Sequence, residues 1–195
     1  GSNVAVGFDA LGDNTTASFN TAIGLNALTS NVTGAENTAV GYKALEDCTS
    51  NNNTAFGSLA LRNQTSGSSN TAVGQNAMVT CTTSDQCTAV GNGALNSLTT
   101  GNTNTAIGMN AGFGITTGAS NTVIGRSAGD TITTGNHNII IGYVSDVSAA
   151  DGSSQFVLGN GVTCVGNGNF TFGDGTSDSN IANGATSITA PSDIR

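Results

Sequence analysis

The stretch NTAVGYKAL at residues 37–45 returns four more times with few changes. It reads NTAIGLNAL at 20–28, NTAFGSLAL at 53–61, NTAVGQNAM at 70–78 and CTAVGNGAL at 87–95. A catalytic motif has no chemical reason to recur every sixteen or seventeen residues. A structural unit that stacks on copies of itself does, so this stretch predicts a repeat fold.

The repeat extends over most of the 195 residues. Counted from their first residue, successive units are 17 residues apart, with a single interval of 16 between Asn37 and Asn53. Spacing this regular predicts an array in which each unit contacts its neighbours. The units begin at Asn3, Asn20, Asn37, Asn53, Asn70, Cys87, Asn104, Asn121, Asn138 and Gln155.

Each position of the unit has a consistent character. The fourth position is a large apolar residue, and the third is Ala in most units but Val123, Ile140 and Val157 in the last ones. Branched side chains in so short a segment favour a β-strand. The fifth position is always Gly, which predicts a positive φ, a bulge or a close backbone approach at a corner. This column includes Gly24, Gly41, Gly57, Gly74, Gly91, Gly108, Gly125 and Gly142.

The rest of the unit completes one coil. The eighth position is Ala in most units, followed by Leu or Met, which predicts a second short strand; the remainder is turn chemistry. We therefore predict an all-β fold, a parallel β-solenoid of about ten 17-residue coils and roughly 45–50 Å long. The first-position asparagines either form an amide ladder between coils or serve as turn residues, and both roles fit this fold.

Two adjacent apolar positions in the strand predict contact between chains. Neighbouring strand residues point to opposite faces of a sheet, yet the third and fourth positions are both apolar. A single-chain solenoid has one interior, so the second apolar face must meet something else, most simply another copy of the chain. We predict a homo-oligomer around a long axis. A parallel homotrimer is the usual arrangement for fibres, although the residues do not set the number three.

Composition and charge argue against several classes of partner. Charged residues make up 8% of the chain, against roughly 25% in a typical soluble domain, and the formal net charge is -8. The four cations, Lys43, Arg62, Arg126 and Arg195, form no cluster of the kind that binds nucleic acid. No apolar run approaches the roughly 20 residues of a membrane span. We predict no nucleic-acid partner and no membrane insertion.

The chain carries no recognisable metal, cofactor or catalytic motif. His137 is the only histidine, no CxxC spacing occurs, and Asp174 lacks the calcium-loop pattern. Cys81 and Cys87 bracket one turn and could pair as a disulfide or stay reduced. We predict no metal, no cofactor and no enzymatic activity.

The N-[ST]-[AV]-[VI]-G units of residues 3–159 resemble the head repeats of trimeric autotransporter adhesins and, still more, the NTAVGxxAL arrays of phage tail fibres. This resemblance implies β-rolls packed as trimers. The segment APSDIR at 190–195 is similar to the opening of the self-cleaving intramolecular chaperone that ends many such fibres. By that resemblance Ser192 would be the cleavage nucleophile and Pro191–Ser192 the scissile bond, with the reaction belonging to a chaperone domain that this sequence lacks.

We divide the chain into a solenoid array (1–159), an irregular capping or tip segment (160–190) and a remnant of the chaperone start (191–195). The expected function is that of a structural and adhesive fibre-tip protein, extracellular on a virion tail fibre or a bacterial surface fibre. The expected partner is a cell-surface receptor, most simply a glycan, because uncharged polar loops suit carbohydrate hydroxyls. The expected ligand-binding residues are Asn160, Asn167, Asn169, Phe170 and Asp174.

Two other functions are alternatives. A threonine column at the second position would suit an ice-binding β-solenoid, unless it faces the interior or a subunit contact. A tail-spike polysaccharide depolymerase would need a pair of carboxylates that sequence spacing does not reveal. The threonine column comprises Thr21, Thr38, Thr54, Thr71, Thr88, Thr105 and Thr122.

Overall fold

The repeat folds into one short strand per unit. The computed structural model describes residues 1–184, and all the regular secondary structure in this range is β-strand. Most strands have three residues, because the Gly corner turns the chain directly after the fourth position. The strands are β1 (Val4–Val6), β2 (Thr21–Ile23), β3 (Thr38–Val40), β4 (Thr54–Phe56), β5 (Thr71–Val73), β6 (Thr88–Val90), β7 (Thr105–Ile107), β8 (Thr122–Ile124), β9 (Ile139–Ile141), β10 (Phe156–Gly159), β11 (Phe170–Gly173) and β12 (Ser179–Ile181).

The strands form one sheet in chain order. Strands β1 to β11 pair in parallel, each with the next, and β12 pairs antiparallel with β11. The register places equal repeat positions side by side, with Thr21 opposite Thr38 and Ala22 opposite Ala39. The 16-residue unit keeps this register, since Thr38 still pairs with Thr54 and the loop absorbs the missing residue. The predicted parallel β-solenoid of about ten turns is confirmed.

The prediction of a second strand at the eighth and ninth positions is wrong. In the second coil, Asn26 and Leu28 have φ values of 57° and 52° on either side of Ala27. Two left-handed residues separated by one residue bend the chain twice, so no extended segment forms. The double bend turns both Ala27 and Leu28 into the interior, where both are fully buried. The apolar Ala–Leu pair therefore marks an inward corner.

The glycine column is required by backbone geometry. The eight glycines from Gly24 to Gly142 have φ between 131° and 145°, a region that other residues rarely enter. The next coil also lies very close, because a Cβ added to Gly57 would be 2.6 Å from the carbonyl oxygen of Gly74. A side chain at this position would therefore be strained and would collide with backbone.

The narrow interior keeps its volume while its residues change. In the second to sixth coils, Ala fills the third and eighth positions and Leu or Met fills the ninth, all fully buried. Further along, Gly112 and Gly129 replace the large ninth residue, and branched residues occupy the space. A Cβ on Gly129 would lie 2.7 Å from Val123 Cγ1 and 3.2 Å from Ile140 Cδ1. The switch from Ala to Val and Ile at the third position thus compensates for these glycines.

The first-position asparagines form a buried ladder. The Asn20 Oδ1 accepts a hydrogen bond from the backbone N–H of Asn37 at 2.9 Å, and the Asn20 Nδ2 donates to the Gly34 carbonyl at 2.8 Å. The same pattern recurs along the array. The ladder satisfies backbone groups that the coil buries. Of the two roles left open, the amide ladder is the one observed.

The C-terminal end departs from the 17-residue period. Phe156 pairs with Phe170, fourteen residues further on, so parallel stacking continues through β11 with a shorter loop. The chain then turns back as β12, which covers the open edge of the last coil. The predicted Pro191–Ser192 junction and the 191–195 remnant lie outside the described residues.

Candidate binding surfaces

The outer face of the sheet carries a column of large apolar side chains. Strand alternation points the third position inward and the fourth outward, so Ala22 is fully buried while Ile23 is 39% exposed. Seven fourth-position residues are 36–57% exposed. They are Val6, Ile23, Phe56, Val73, Val90, Ile107 and Leu158. The two apolar positions therefore face opposite sides of the sheet.

The sixth position, which follows the glycine corner, also carries exposed apolar side chains in some coils. It holds large apolar or aromatic side chains that are 41–78% exposed in five coils, namely Phe8, Leu25, Tyr42, Met109 and Tyr143. We name the fourth-position column, which runs along the outer face of the sheet, the apolar sheet face. Monomeric proteins seldom expose a contiguous apolar patch above a few hundred Å². A surface of this length is typical of an interaction site.

Threonines lie on this same face. The second-position column alternates with the inward third position, so its side chains share the outward face with the fourth position. Thr21, Thr71 and Thr88 are partly exposed. The threonine column is therefore outside the solenoid, interleaved with branched apolar residues.

A second threonine ladder runs along the loop side. The hydroxyls of Thr65, Thr82 and Thr99 each donate to a backbone carbonyl of the following coil, at 3.0 to 3.1 Å. These hydroxyls cross-link successive coils at their loops. The interpretation of the loops as plain turns missed this ladder. Its signal was the recurrence of Thr-Thr or Thr-Ser pairs at residues 49–50, 65–66, 82–83, 99–100, 116–117 and 133–134.

Two of the five predicted ligand-binding residues belong to structural ladders. The Asn169 Oδ1 accepts from the N–H of Asn183 at 3.0 Å, which continues the asparagine ladder into the tip. The Asn167 Oδ1 accepts from the N–H of Ser153 at 2.8 Å and from the Nε2 of Gln155 at 2.9 Å. The side-chain oxygens of both asparagines therefore already bond within the chain.

The other three predicted residues lie at the surface of the tip. Phe170 belongs to an aromatic group on the outer sheet face, with ring centroids 4.6 Å from Phe156 and 5.0 Å from Phe172. Asn160 and Asp174 are exposed. A Cβ on Gly175 would lie 3.0 Å from the Asn160 carbonyl, so the β11–β12 hairpin lies against the Asn160 corner. The structure thus brings Asn160 close to the Asp174 loop.

Asp174 organises that hairpin loop. Its Oδ1 accepts from the hydroxyl of Thr176 at 2.7 Å and from the N–H groups of Thr176 and Ser177 at 2.9 Å. These hydrogen bonds, with the Thr176 hydroxyl foremost, hold the pKa of Asp174 below its usual value. The carboxylate therefore stays ionised and fixes the loop shape.

Charge on the described part of the chain is sparse, and two of its three cations are paired with one acid. Glu46 bridges Lys43 at 2.9 Å and Arg62 at 2.8 Å. Burial acts to raise the pKa of Glu46, but hydrogen bonds from these two cations outweigh it and leave that pKa below the usual value. Arg126 lies over the ring of Tyr143, 5.4 Å from its centroid. Lys43, Arg62 and Arg126 thus form no cationic patch.

The four thiols lie inside the coils. Cys48, Cys81, Cys87 and Cys164 are all buried and free, so the possible Cys81–Cys87 disulfide is not formed in the structure. Burial raises the pKa of Cys81 to about 11, which disfavours the reactive thiolate. Cys87 occupies the asparagine column, where its sulfur accepts from the N–H of Asn104 at 3.4 Å. The thiols act here as interior side chains.

Residues 1–184 enclose no pocket, and they bring no three His, Cys, Asp or Glu side chains together as metal ligands. His137 sits at an exposed left-handed corner with φ 58°. In the same range no helix has the length and apolarity needed to cross a bilayer. Comparisons with models of protein families, with curated proteins and with solved structures each gave no significant match.

Proposed function

We propose that this chain is a structural and adhesive segment of an extracellular fibre, of the phage tail-fibre or bacterial surface-adhesin type. In this proposal three copies pack in parallel through their apolar sheet faces, and the C-terminal tip binds a glycan on a cell surface. The observation that carries the proposal is the apolar sheet face itself, which follows the array along its length and has no partner among residues 1–184.

Periodicity favours another copy of this chain as the partner on that face. Side chains such as Ile23, Val73 and Val90 repeat at the spacing of adjacent strands, about 4.8 Å. A partner that fills every gap between them must have the same repeat. A parallel copy fulfils this condition, and rotation about a long axis gives a closed assembly.

Light scattering during gel filtration tests the assembly. We expect a mass of three times 19.1 kDa that persists on dilution. The double variant Val73→Lys, Val90→Lys should lower this to one chain, because it places two buried charges in each face of the interface. Thr83→Lys with Thr100→Lys, on the exposed loop side, is the matched control and should leave the mass unchanged. A monomeric wild-type chain would contradict the proposal.

The tip supplies the groups that a glycan site needs. Asn160 offers an exposed amide, the Asp174 loop offers exposed hydroxyl and backbone groups, and Phe170 offers a partly exposed aromatic ring at the start of β11, in the last parallel coil. Uncharged hydrogen-bonding groups beside an apolar surface match the alternating hydroxyls and C–H faces of sugars. Asn167 and Asn169 contribute by holding the tip in shape.

A glycan array probed with the wild-type protein tests this site. We expect a restricted set of bound glycans, and a loss of at least tenfold in affinity for the Asn160→Ala, Phe170→Ala double variant. Gln86→Ala, an exposed change on a loop corner of the array, should bind like the wild type. Unchanged glycan binding by the double variant would remove these residues from the site.

An ice-binding surface is the second candidate, and the outward placement of the threonine column supports it. Regular threonines on a flat parallel sheet could order water at the strand spacing. The two candidates exclude each other on this face, because a trimer would cover the column. Measurable thermal hysteresis from a monomer, abolished by Thr71→Lys with Thr88→Lys, would favour this candidate. No hysteresis would remove it.

A further inference from the structure

Three asparagines lie in identical Gly-Asn-Gly tripeptides, namely Asn92, Asn160 and Asn167. A glycine that follows asparagine has no Cβ to shield its backbone nitrogen, so this nitrogen can approach the side-chain amide carbon and close a five-membered succinimide ring. In a folded chain this reaction needs a glycine N–H that is free to react and an amide carbonyl that is polarised. Because the three tripeptides are identical, only the folded structure can make them differ.

The glycine nitrogens of the first two tripeptides are held by the array. Gly93 and Gly161 occupy the seventh position of their coils. The Gly93 N–H donates to the Gln75 carbonyl at 2.9 Å, and the Gly161 N–H donates to the Tyr143 carbonyl at 2.8 Å. Each bond points the N–H at the preceding coil, so neither nitrogen is free to attack the asparagine before it.

The glycine nitrogen of the third tripeptide is not held in this way. Gly168 lies in the loop of the shortened coil, in a turn where the N–H of Asn169 donates to the Gly166 carbonyl at 3.4 Å. The N–H of Gly168 has no acceptor among residues 1–184. The loss of the 17-residue period therefore frees this nitrogen.

The amide carbonyl of Asn167 is also polarised. Its Oδ1 accepts from the N–H of Ser153 at 2.8 Å and from the Nε2 of Gln155 at 2.9 Å. Attack on the amide carbon places negative charge on this oxygen, and two donors directed at it stabilise that charge as an oxyanion hole does. The amide of Asn92, by contrast, donates from its Nδ2 to the Oε1 of Gln75 at 3.3 Å.

We propose that Asn167–Gly168 is a self-modification site, at which the folded tip converts Asn167 into a mixture of aspartate and isoaspartate. The Gly168 nitrogen bonds to the Asn167 Cγ, and the Nδ2 leaves as ammonia with the proton that the Gly168 nitrogen gives up. Water then adds to one of the two ring carbonyls and breaks its bond to the nitrogen. Opening at Cγ gives aspartate, and opening at the backbone carbonyl gives isoaspartate. Asn167 is exposed, so water can reach the ring.

The modification changes the joint between the array and the tip. The Oδ1 of Asn167 connects the shortened loop to Ser153 and Gln155 of the preceding coil. Isoaspartate lengthens the backbone by one methylene group and moves the side-chain oxygen that holds these two donors. The loss of ammonia makes the change irreversible. The shortened coil should therefore loosen with the age of the protein.

Incubation of the folded full chain near neutral pH, followed by proteolysis and tandem mass spectrometry, tests the site. Conversion replaces NH by O in the mass of the residue. We expect Asn167 to convert at least about ten times faster than Asn92 and Asn160. In denaturant, where the tertiary hydrogen bonds are lost, the three identical tripeptides should convert at similar rates. An Asn167 rate in the folded chain no higher than the other two would overturn the proposal.

A variant of one donor tests the role of the hydrogen bonds. Gln155→Glu keeps the size of the side chain and an acceptor for the N–H of Ser148, but it replaces the donor to Asn167 by a carboxylate. Conversion at Asn167 should slow by about tenfold. Gln86→Glu makes the same change at an exposed corner of the array and should leave the rate unchanged. Equal Asn167 rates in the two variants would show that the donors do not promote the reaction. The comparison of the three wild-type sites does not depend on the folding of either variant.

Discussion

At the scale of single residues, the coil depends on backbone angles that most residues avoid. Residues other than glycine occupy the left-handed region at three corners of the unit, as at Lys43, Leu45 and Asn52 in the third coil. Each such residue costs of order 1 kcal/mol or more. The array tolerates this cost because ladders and interior packing on both sides determine the path of every corner.

Relief of one corner should stabilise the protein. Gln86 is exposed with φ 57°, so Gln86→Gly should raise the free energy of unfolding by about 1 kcal/mol. Gln75→Gly is the matched control at an exposed position without a positive φ, and it should lower the stability by roughly 0.5–1 kcal/mol. Chemical denaturation of the two variants measures the difference. Equal effects would mean that the corner stores no strain.

A methyl group at a glycine-column position should lower the free energy of unfolding far more than the strain at one exposed corner does. Gly57→Ala adds a Cβ at φ 140° against the Gly74 carbonyl and should cost about 3 kcal/mol or more. Gly161→Ala is the control, because its φ is 67° and the nearest atom would be 4.0 Å away. That change should cost about 1 kcal/mol. The order of the two melting temperatures checks this prediction.

At the scale of the element, one strand with its ladders is the unit of cohesion. Each three-residue strand is too short to be stable alone, and the asparagine ladder adds bonds at its N-terminal side. The threonine hydroxyls join the loops on the opposite side. Successive coils are therefore held at the sheet, at the asparagine column and at the loop.

Placing an asparagine at position 87, where a cysteine interrupts the asparagine ladder, should stabilise the array. At Cys87 the sulfur is 3.4 Å from the Asn104 nitrogen, whereas the amide oxygens in other coils stand 2.9–3.0 Å from theirs. Cys87→Asn should therefore add about 1 kcal/mol. Asn121→Ala removes a side-chain amide that donates to Asn104 in the preceding coil and accepts from Asn138 in the following one, and it should cost about 3 kcal/mol. Destabilisation by Cys87→Asn would show that the sulfur is better suited to its coil.

At the scale of the whole molecule, the rod is a stack of nearly equivalent coils. Strand pairing joins each coil to the next one only, so most bonds cross a single interface. Stability in such an array is close to a sum of coil and interface contributions. The tip differs, since its shortened coil and antiparallel β12 close the stack.

A whole coil should therefore be removable. Deletion of residues 70–86 brings Cys87 into the place of Asn70 and preserves every column, so the chain should still fold, with a melting temperature a few degrees lower. Deletion of residues 70–78 leaves a fragment that matches no column and should prevent a cooperative transition. Circular dichroism melting curves of the two deletions distinguish the cases. Similar behaviour would contradict a modular array.

Much of this architecture could be predicted from local pattern. The interval between first-position residues predicts the coil length, and the invariant glycine predicts the corner that the structure shows. The second strand was predicted wrongly at Ala27 and Leu28, because an apolar pair looks the same whether it belongs to a strand or to an inward corner. Likewise, Asn169 was predicted as a ligand-binding residue of the tip, because the shorter coil breaks the 17-residue spacing that marks the other residues of the asparagine ladder.

The period, the parallel β-solenoid and the two apolar sides follow from the amino-acid pattern alone, because those features repeat and each results from local sterics and strand alternation. Which side chains meet between coils depends on the folded stack. Hydrogen bonds such as those between the hydroxyl of Thr82 and the carbonyl of Thr99 join residues a full coil apart. Spacing along the chain does not reveal such contacts, since they depend on how closely the stacked backbones approach.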